Sequence, residues 1–320
     1  MRVRIGYVAI ALNLPKVTSS STVTYTNYQK LSSDEQKLNK LKQVTLSNLD
    51  DLYKILQYNV ENNVHFYRIT SALVPLATHP EVTDWDYRKI FNVDFKRLGK
   101  FVKENNMRVD THPDEFNVIN SIREEVVKSS ERNLWSHVHL FEDMEYPDGK
   151  MVLHIGSAQG GKEEAIHRFI NNFKNFPLEI TSRLMLENDD KTFTASDVLS
   201  ICRETDTPIV FDVHHHMCNN NNGETLESLI SEIFSTWKNQ SLPPKFHFST
   251  PRESERDRKH ADYINAEDFI SFIEICKPLD KDFDVMLEAK MKDRALFQLI
   301  DDIKIIKPNW NWIDNTTLEV

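Results

Sequence analysis

Eight short β-type runs alternate with longer stretches of helical period along 320 residues that no linker divides, and this predicts an α/β fold: a TIM (β/α)8 barrel made as one domain over residues 1–320. Three observations carry the prediction. The alternation is the pattern of repeated βα units and a parallel sheet. The count of eight is the number that closes such a sheet into a barrel. The length suits barrels that run to roughly 250 residues or more with loop insertions. Hydrophobic residues make up 40% and charged residues 28%, enough apolar material for a large core and too much for a disordered chain.

In chain order, the runs rich in β-branched and aromatic residues predict strands over Val3–Val8, His65–Thr70, Met107–Thr111, Met151–Ile155, Leu184–Leu186, Pro208–Phe211, Lys245–Phe248 and Asp284–Leu287. Between them, Leu46, Leu49, Leu52, Tyr53, Leu56 and Val60 recur at helical spacing, as do Phe169, Ile170 and Phe173, and Leu229, Ile230, Ile233 and Phe234. Such stripes are expected to face the barrel wall. Two segments break the rhythm: Pro15 to Asp34, rich in Ser and Thr, and Cys218 to Gly223, with asparagines from Asn219 to Asn222. Both read as loops on the C-terminal face, where barrels of this kind carry functional insertions.

No apolar run is long enough to cross a membrane, and no export signal is evident at the start of the chain. Cys202, Cys218 and Cys276 are odd in number, widely spaced and free of any Cys-x-x-Cys pair, which fits a reducing compartment. A cytoplasmic protein is therefore expected. The formal charge of −10 argues against a protein that coats DNA by bulk electrostatics. Bound cations would reverse the potential locally, and the cluster Arg252, Arg256, Arg258 and Lys259 offers positive charge for flanking phosphates.

The chemistry stands where the strands end. His112, His154, Glu187, Asp212, His247 and Glu288 each sit where a hydrophobic run stops, 42, 33, 25, 35 and 41 residues apart. One His near a strand end is ordinarily a hydrogen-bonded structural residue, and one acid at a helix start is ordinarily a cap. Six in register are another matter, because buried ionisable groups are costly unless paired or bound to metal. Equal positions on successive barrel strands converge at one mouth, and imidazole and carboxylate are ligands for Zn2+ or Mn2+ that can be shared between ions. A polynuclear metal site follows.

His215, three residues after Asp212, is the candidate for a further ligand, and His260 for another from the loop after strand seven. His214 and His216 are left as supporting donors or as solvated side chains. Lys245 shares a strand face with His247 and so points inward. A lysine beside cations has a depressed pKa and either acts while neutral or reacts with CO2 to become a carboxylated lysine.

The ordered set of motifs resembles the UV damage endonucleases, relatives of the TIM-barrel AP endonucleases and of xylose isomerase. The matching pieces are Arg4-Ile-Gly-Tyr7, Tyr67-Arg-Ile-Thr-Ser71, Val74-Pro-Leu-Ala-Thr-His79-Pro80, His112-Pro113, His154-Ile-Gly, Leu186-Glu-Asn-Asp-Asp190, Phe211-Asp-Val-His-His215, Lys245-Phe-His247, His260-Ala-Asp-Tyr263 and Glu288-Ala-Lys290, in order from residue 4 to about 300. The resemblance implies three metal ions, Mn2+ with Zn2+ or Mg2+ as alternatives, on His112, His154, Glu187, Asp212, His215, His247, His260 and Glu288. It implies catalytic roles for Lys245, which can carry the carboxyl modification, for Glu187 and His247, and for His79 beside the scissile phosphate. It further implies hydrolysis immediately 5′ of cyclobutane dimers and 6-4 photoproducts in duplex DNA, by a monomer that needs no protein partner.

Two positions depart from that pattern. The family's Gln-Tyr or Gln-Phe pair, which wedges into the duplex at the damage, is Glu115-Phe116 here. An Asn expected shortly after Tyr7, itself expected to touch the lesion, is replaced by Ala11. Three rival readings remain: an AP endonuclease acting on abasic sites, a two-metal sugar isomerase or epimerase, and a damage-binding protein whose metals only brace its loops.

Overall fold

In the computed structural model, which describes Met1 to Val320 except Asn221, the runs that alternate apolar and polar residues form strands within one or two residues of the expected limits. They are β1 (Arg2–Tyr7), β2 (Phe66–Ile69), β3 (Arg108–Thr111), β4 (Lys150–His154), β5 (Leu184–Glu187), β6 (Ile209–Asp212), β7 (Lys245–Phe248) and β8 (Phe283–Leu287). Parallel ladders join each strand to the next from β2 to β8, and β8 to β1 across five paired residues. The result is the expected α/β barrel sheet wrapped in helices.

The closure has a feature that the sequence did not announce. β1 and β2 share no ladder; the chain adds β9 (Asn311–Trp312) and β10 (Thr317–Glu319), and β10 pairs antiparallel with Arg2 to Arg4 on the free edge of β1. This C-terminal hairpin also reaches the approach to β2, where Asp314 pairs with His65 at 2.7 Å and the Thr316 hydroxyl donates to the carbonyl of Asn63 at 2.5 Å. Further up the seam the Phe66 ring lies so close to Gly6 that a Cβ there would come within 2.7 Å of it. An open strand edge inside a barrel leaves backbone groups unpaired, and the hairpin supplies the missing partner.

Side-chain alternation sorts the strands into an outer and an inner face. Val3, Ile5 and Tyr7 of β1 join the continuous apolar core against the helices. Inside the barrel, Val152, Met185 and Val210 pack with Trp237, and Phe66 with Met286 and Val8. Toward the N-terminal ends of the strands, buried Arg108 donates to Asp284 at 2.8 Å and Arg4 forks onto the same carboxylate at 2.6 and 2.8 Å. Toward the C-terminal ends, the polar inner positions gather into the site described below.

The helical stripes fall as expected with one exception. Phe169, Ile170, Phe173, Leu229, Ile230, Ile233 and Phe234 are buried, and so are Leu49, Leu52 and Leu56 of the long helix Asp34–Glu61, but Leu46 is 44% exposed on its outer face. The segment expected as a loop over Pro15 to Asp34 contains a short helix, Tyr25–Gln29, capped by Thr24. Cys218 closes another helix, Val213–Cys218, so the loop begins one residue later; Asn221 lies outside the described residues. Among the described residues no helix is long and apolar enough to cross a membrane, and the three cysteines are free.

Candidate metal centre

The strand ends place each expected ligand by simple register. His154, Glu187 and Asp212 are the last residues of β4, β5 and β6, while His112 and Glu288 follow directly on β3 and β8 and His247 lies inside β7. Adjacent ladders pair His154 with Glu187 and Asp212 with His247, so their side chains leave the sheet side by side. His215 enters from the helical turn Val213–Cys218, which starts because the Asp212 carboxylate accepts the His215 backbone N–H at 2.8 Å. His260 comes from the loop after β7, held by its bridge to Pro251.

Glu187, 1% exposed, is the hub. His247 lies 2.5 Å from its carboxylate, His112 2.9 Å, His154 3.4 Å and His215 4.0 Å. From His247 the chain of contacts continues to Glu288 at 3.6 Å and on to His260 at 4.0 Å, and His215 meets Asp212 at 3.6 Å. All eight expected side chains are therefore connected. Two triads, His112–His154–Glu187 and Glu187–Asp212–His215, bring ligand atoms within 4.8 Å of one another and share Glu187.

The ring nitrogens suit cations. His112, His215 and His260 each use Nδ1 to donate to a backbone carbonyl, of Pro113 at 3.1 Å, Asn188 at 2.9 Å and Glu288 at 2.6 Å. A neutral imidazole so held must present a bare Nε2, the arrangement in which metal-binding histidines are oriented by a carbonyl behind them. Among the described residues, Nδ1 of His154 and Oδ2 of Asp212 are buried without any hydrogen-bond partner, a costly condition that a shared cation would relieve. The donor set and these orphaned atoms fit divalent metal.

Electrostatics reflect the crowding. Burial alone would raise the Glu187 carboxyl, yet His247, His154 and the bond from His112 outweigh it and hold the group well below the usual range. Burial would lower His215, but Asp212, Glu187 and Glu288 overcome it and push the ring up to about 9. His154 goes the other way, lowered by burial and by His112 and His215 against the pull of Glu187.

Lys245 is fully buried one inward position below His247, its ammonium bonded to Asp110 and 5.2 Å above the Phe66 ring. Burial, with Arg108 and Arg68 nearby, lowers it to about 8 even against Asp110. Asp110 and Arg68 were not singled out from the sequence. Each carries a signal close to that of the ligands, a charged inward residue in the penultimate position of its strand, and β2 and β3 pair them directly. Asn188 was also missed; its side-chain amide exchanges two 2.9 Å bonds with the Asp212 backbone and fixes that strand end.

The remaining expected residues separate. His214 donates from Nε2 to the Asp257 carbonyl and accepts at Nδ1 from Ser249, both at 2.8 Å, and so braces the loop carrying His260. His216 donates to the carbonyl of Glu224 at 3.0 Å. Glu115 lines a cavity of about 540 Å3 at the barrel mouth together with His154, His215, His260 and Arg258, while Phe116 beside it is 77% exposed. His79 stacks on Tyr25 at 3.9 Å and lines a different cavity, with Arg132 and Trp135. Tyr7 is fully buried and donates to Asn59 at 2.7 Å, so the direct lesion contact expected of it is not available in this structure, and Ala11 is buried in the same core.

The chain is similar to known proteins along nearly its whole length. A family model described as UV-endonuclease UvdE matches residues 3–313. The UV DNA damage endonuclease of Bacillus cereus strain B4264 is 40% identical over 308 residues, 96% of each chain, and that of Bacillus mycoides strain KBAB4 is 40% identical over the same span. A crystal structure described as SacUVDE superposes with a TM-score of 0.83 at 35% identity, over 95% of this chain and 99% of that one. Endonuclease IV from Thermus thermophilus, at 12% identity and a TM-score of 0.52 over 78% of this chain and 94% of that one, shares the fold alone. With a match over nearly its whole length in both sequence and structure, the chain belongs to the UV-endonuclease UvdE family, a family of DNA endonucleases.

Proposed function

We propose that this protein hydrolyses the DNA backbone immediately 5′ of ultraviolet photoproducts, cyclobutane pyrimidine dimers and 6-4 photoproducts, leaving 3′-hydroxyl and 5′-phosphate ends. The observation that carries the reading is the single buried carboxylate of Glu187 shared by two ligand triads at the barrel mouth. His112, His154, Glu187, Asp212, His215, His247, His260 and Glu288 would hold three divalent cations, with Mn2+ the expected metal. When bound, such ions lower the pKa of a water and stabilise the departing oxygen of an in-line displacement.

The chain's own residues do the rest. Carbonyls of Pro113, Asn188 and Glu288 each hold the Nδ1 side of an imidazole and fix the orientation of three rings, so the site is preorganised. Lys245 and Asp110 form a fully buried ion pair beneath it. In the carboxylated form Lys245 would place an anion against Asp110, with Arg68 and Arg108 left to balance both.

In this reading Phe116, exposed on the loop after β3, enters the base stack where a crosslinked dimer is poorly stacked and cheap to displace. His79, steadied by Tyr25, is assigned to a backbone phosphate. Arg256 and Lys259, which make no ion pair among the described residues, are assigned to flanking phosphates of the duplex, whereas Arg258 is tied to Asp190 and Arg252 to Glu253. The protein acts as a single chain in this reading.

Supercoiled plasmid, ultraviolet-irradiated, depurinated or untreated, separates the alternatives when incubated with the protein and MnCl2. Nicking of irradiated plasmid alone supports the proposal. Nicking confined to abasic plasmid points to an AP endonuclease, and binding without nicking points to a damage-recognition protein.

A further inference from the structure

Arg68 lies in β2 with its guanidinium buried at the edge of the cluster, and it forks onto two of the eight residues: Nη1 donates to Glu288 Oε1 at 2.8 Å and Nη2 to His247 Nε2 at 2.6 Å. An arginine side chain only donates. Nε2 of His247 must therefore offer a lone pair, and the proton of the neutral ring sits on Nδ1, which donates to Glu187 Oε1 at 2.5 Å. Both nitrogens of His247 are already engaged, one by a cation and one by an anion.

A divalent cation can take this histidine by two routes. At Nε2 it must displace the guanidinium. At Nδ1 it shifts the ring proton to Nε2, and an N–H then faces the Arg68 N–H across 2.6 Å, a contact that two donors cannot keep. Either route drives Arg68 off His247.

The structure also provides a place for the released group. Asp110, directly opposite Arg68 in the β2–β3 register, bonds Lys245 through Oδ2, while among the described residues its buried Oδ1 has no partner, and neither has the buried Arg68 Nε. We propose that Arg68 is a positioning residue that competes with a divalent cation for His247 and Glu288, so that loading this half of the cluster is coupled to a swing of the guanidinium toward Asp110. The inference rests on the metal-centre reading above. Before loading, the Arg68 charge offsets the repulsion between the buried carboxylate of Glu187 and the partly buried one of Glu288.

The test is a MnCl2 titration, by calorimetry, of the chelator-stripped wild type and of Arg68→Met and Arg68→Lys. Methionine removes the competing charge, and lysine keeps the charge but cannot fork onto both partners. Both variants are expected to bind Mn2+ roughly tenfold or more tightly than wild type, in the range by which groups behind a ligand usually tune affinity. Adding His247→Ala should erase the gain, and in EDTA both variants should melt below the wild type. Unchanged or weaker binding by Arg68→Met overturns the proposal. So does an Arg68→Lys variant that binds as wild type while Arg68→Met gains, because then only net charge matters. Should wild type itself bind no Mn2+, the metal-centre reading fails instead. If neither variant folds, wild type labelled with both 15N-arginine and 15N-histidine and titrated with Zn2+ should show the Arg68 side-chain resonance moving with the same midpoint as the His247 ring nitrogens; an unmoved Arg68 resonance overturns the proposal.

Discussion

Phe116→Ala tests the wedge with a magnitude the structure supplies. Fully burying a phenylalanine instead of leaving it in water is worth about 1.5–3 kcal/mol. The ring is 77% exposed in the free protein, so most of its surface is still available to be covered by bases. Roughly three-quarters of that energy, about 1–2 kcal/mol, or a fivefold to thirtyfold change in affinity, is therefore at stake on insertion. An exposed side chain contributes little to folding, and the melting temperature should hold. Single-turnover nicking of a duplex with one thymine dimer, measured at rising enzyme concentration and fixed salt, separates binding from chemistry. The half-saturating concentration should rise by that factor while the plateau rate stays within a few-fold of wild type. An unchanged half-saturation, or a loss of affinity equal on the undamaged duplex, would refute the wedge role.

His247→Ala removes the imidazole bonded to both Glu187 and Arg68, and is expected to abolish nicking while lesion binding persists; lost binding with unchanged metal content would contradict its placement in the centre. His137 is buried, and desolvation lowers its pKa to about 4 from 6.5. The unfolded chain therefore takes up the proton first as pH falls, and stability is lost between pH 6.5 and about 4, with roughly 3 kcal/mol as an upper bound. Urea unfolding in EDTA should show His137→Leu losing less stability than wild type between pH 7 and 4.5, and parallel losses would show that this ring is not the cause. Arg256→Ala should weaken damaged and undamaged duplex alike and reduce the slope of log affinity against log salt by about one. A selective loss on damaged DNA would move Arg256 from the flank to the lesion.

Much of the site was legible before any coordinates, because a ligand at a strand end leaves a local mark: a His, Asp or Glu stopping an apolar run. His112, His154, Glu187, Asp212, His247 and Glu288 all carry it, and the barrel register turns that shared position into proximity. Asp110 and Arg68 carry a similar mark but sit a little deeper in their strands, where a lone charge in a short run is easily taken for an outward-facing residue. The C-terminal hairpin left no mark at all. Its strands are two and three residues long in a polar segment, and only the unpaired edge of β1 gives them something to pair with.

Sequence by itself determined the barrel, its eight parallel strands and the list of residues that meet at the mouth, since strand period and run endings are properties of neighbouring residues along the chain. Tertiary structure decided the rest. It withdrew Tyr7 behind Asn59, turned Leu46 outward, separated His214 as a brace from its neighbour His215 in the cluster, and set Arg68 against His247. Those outcomes depend on which nitrogen or oxygen of a distant residue lies along a given bond direction. Between Arg68 and His247 that distance is 179 residues of chain, and no local pattern encodes a direction across it.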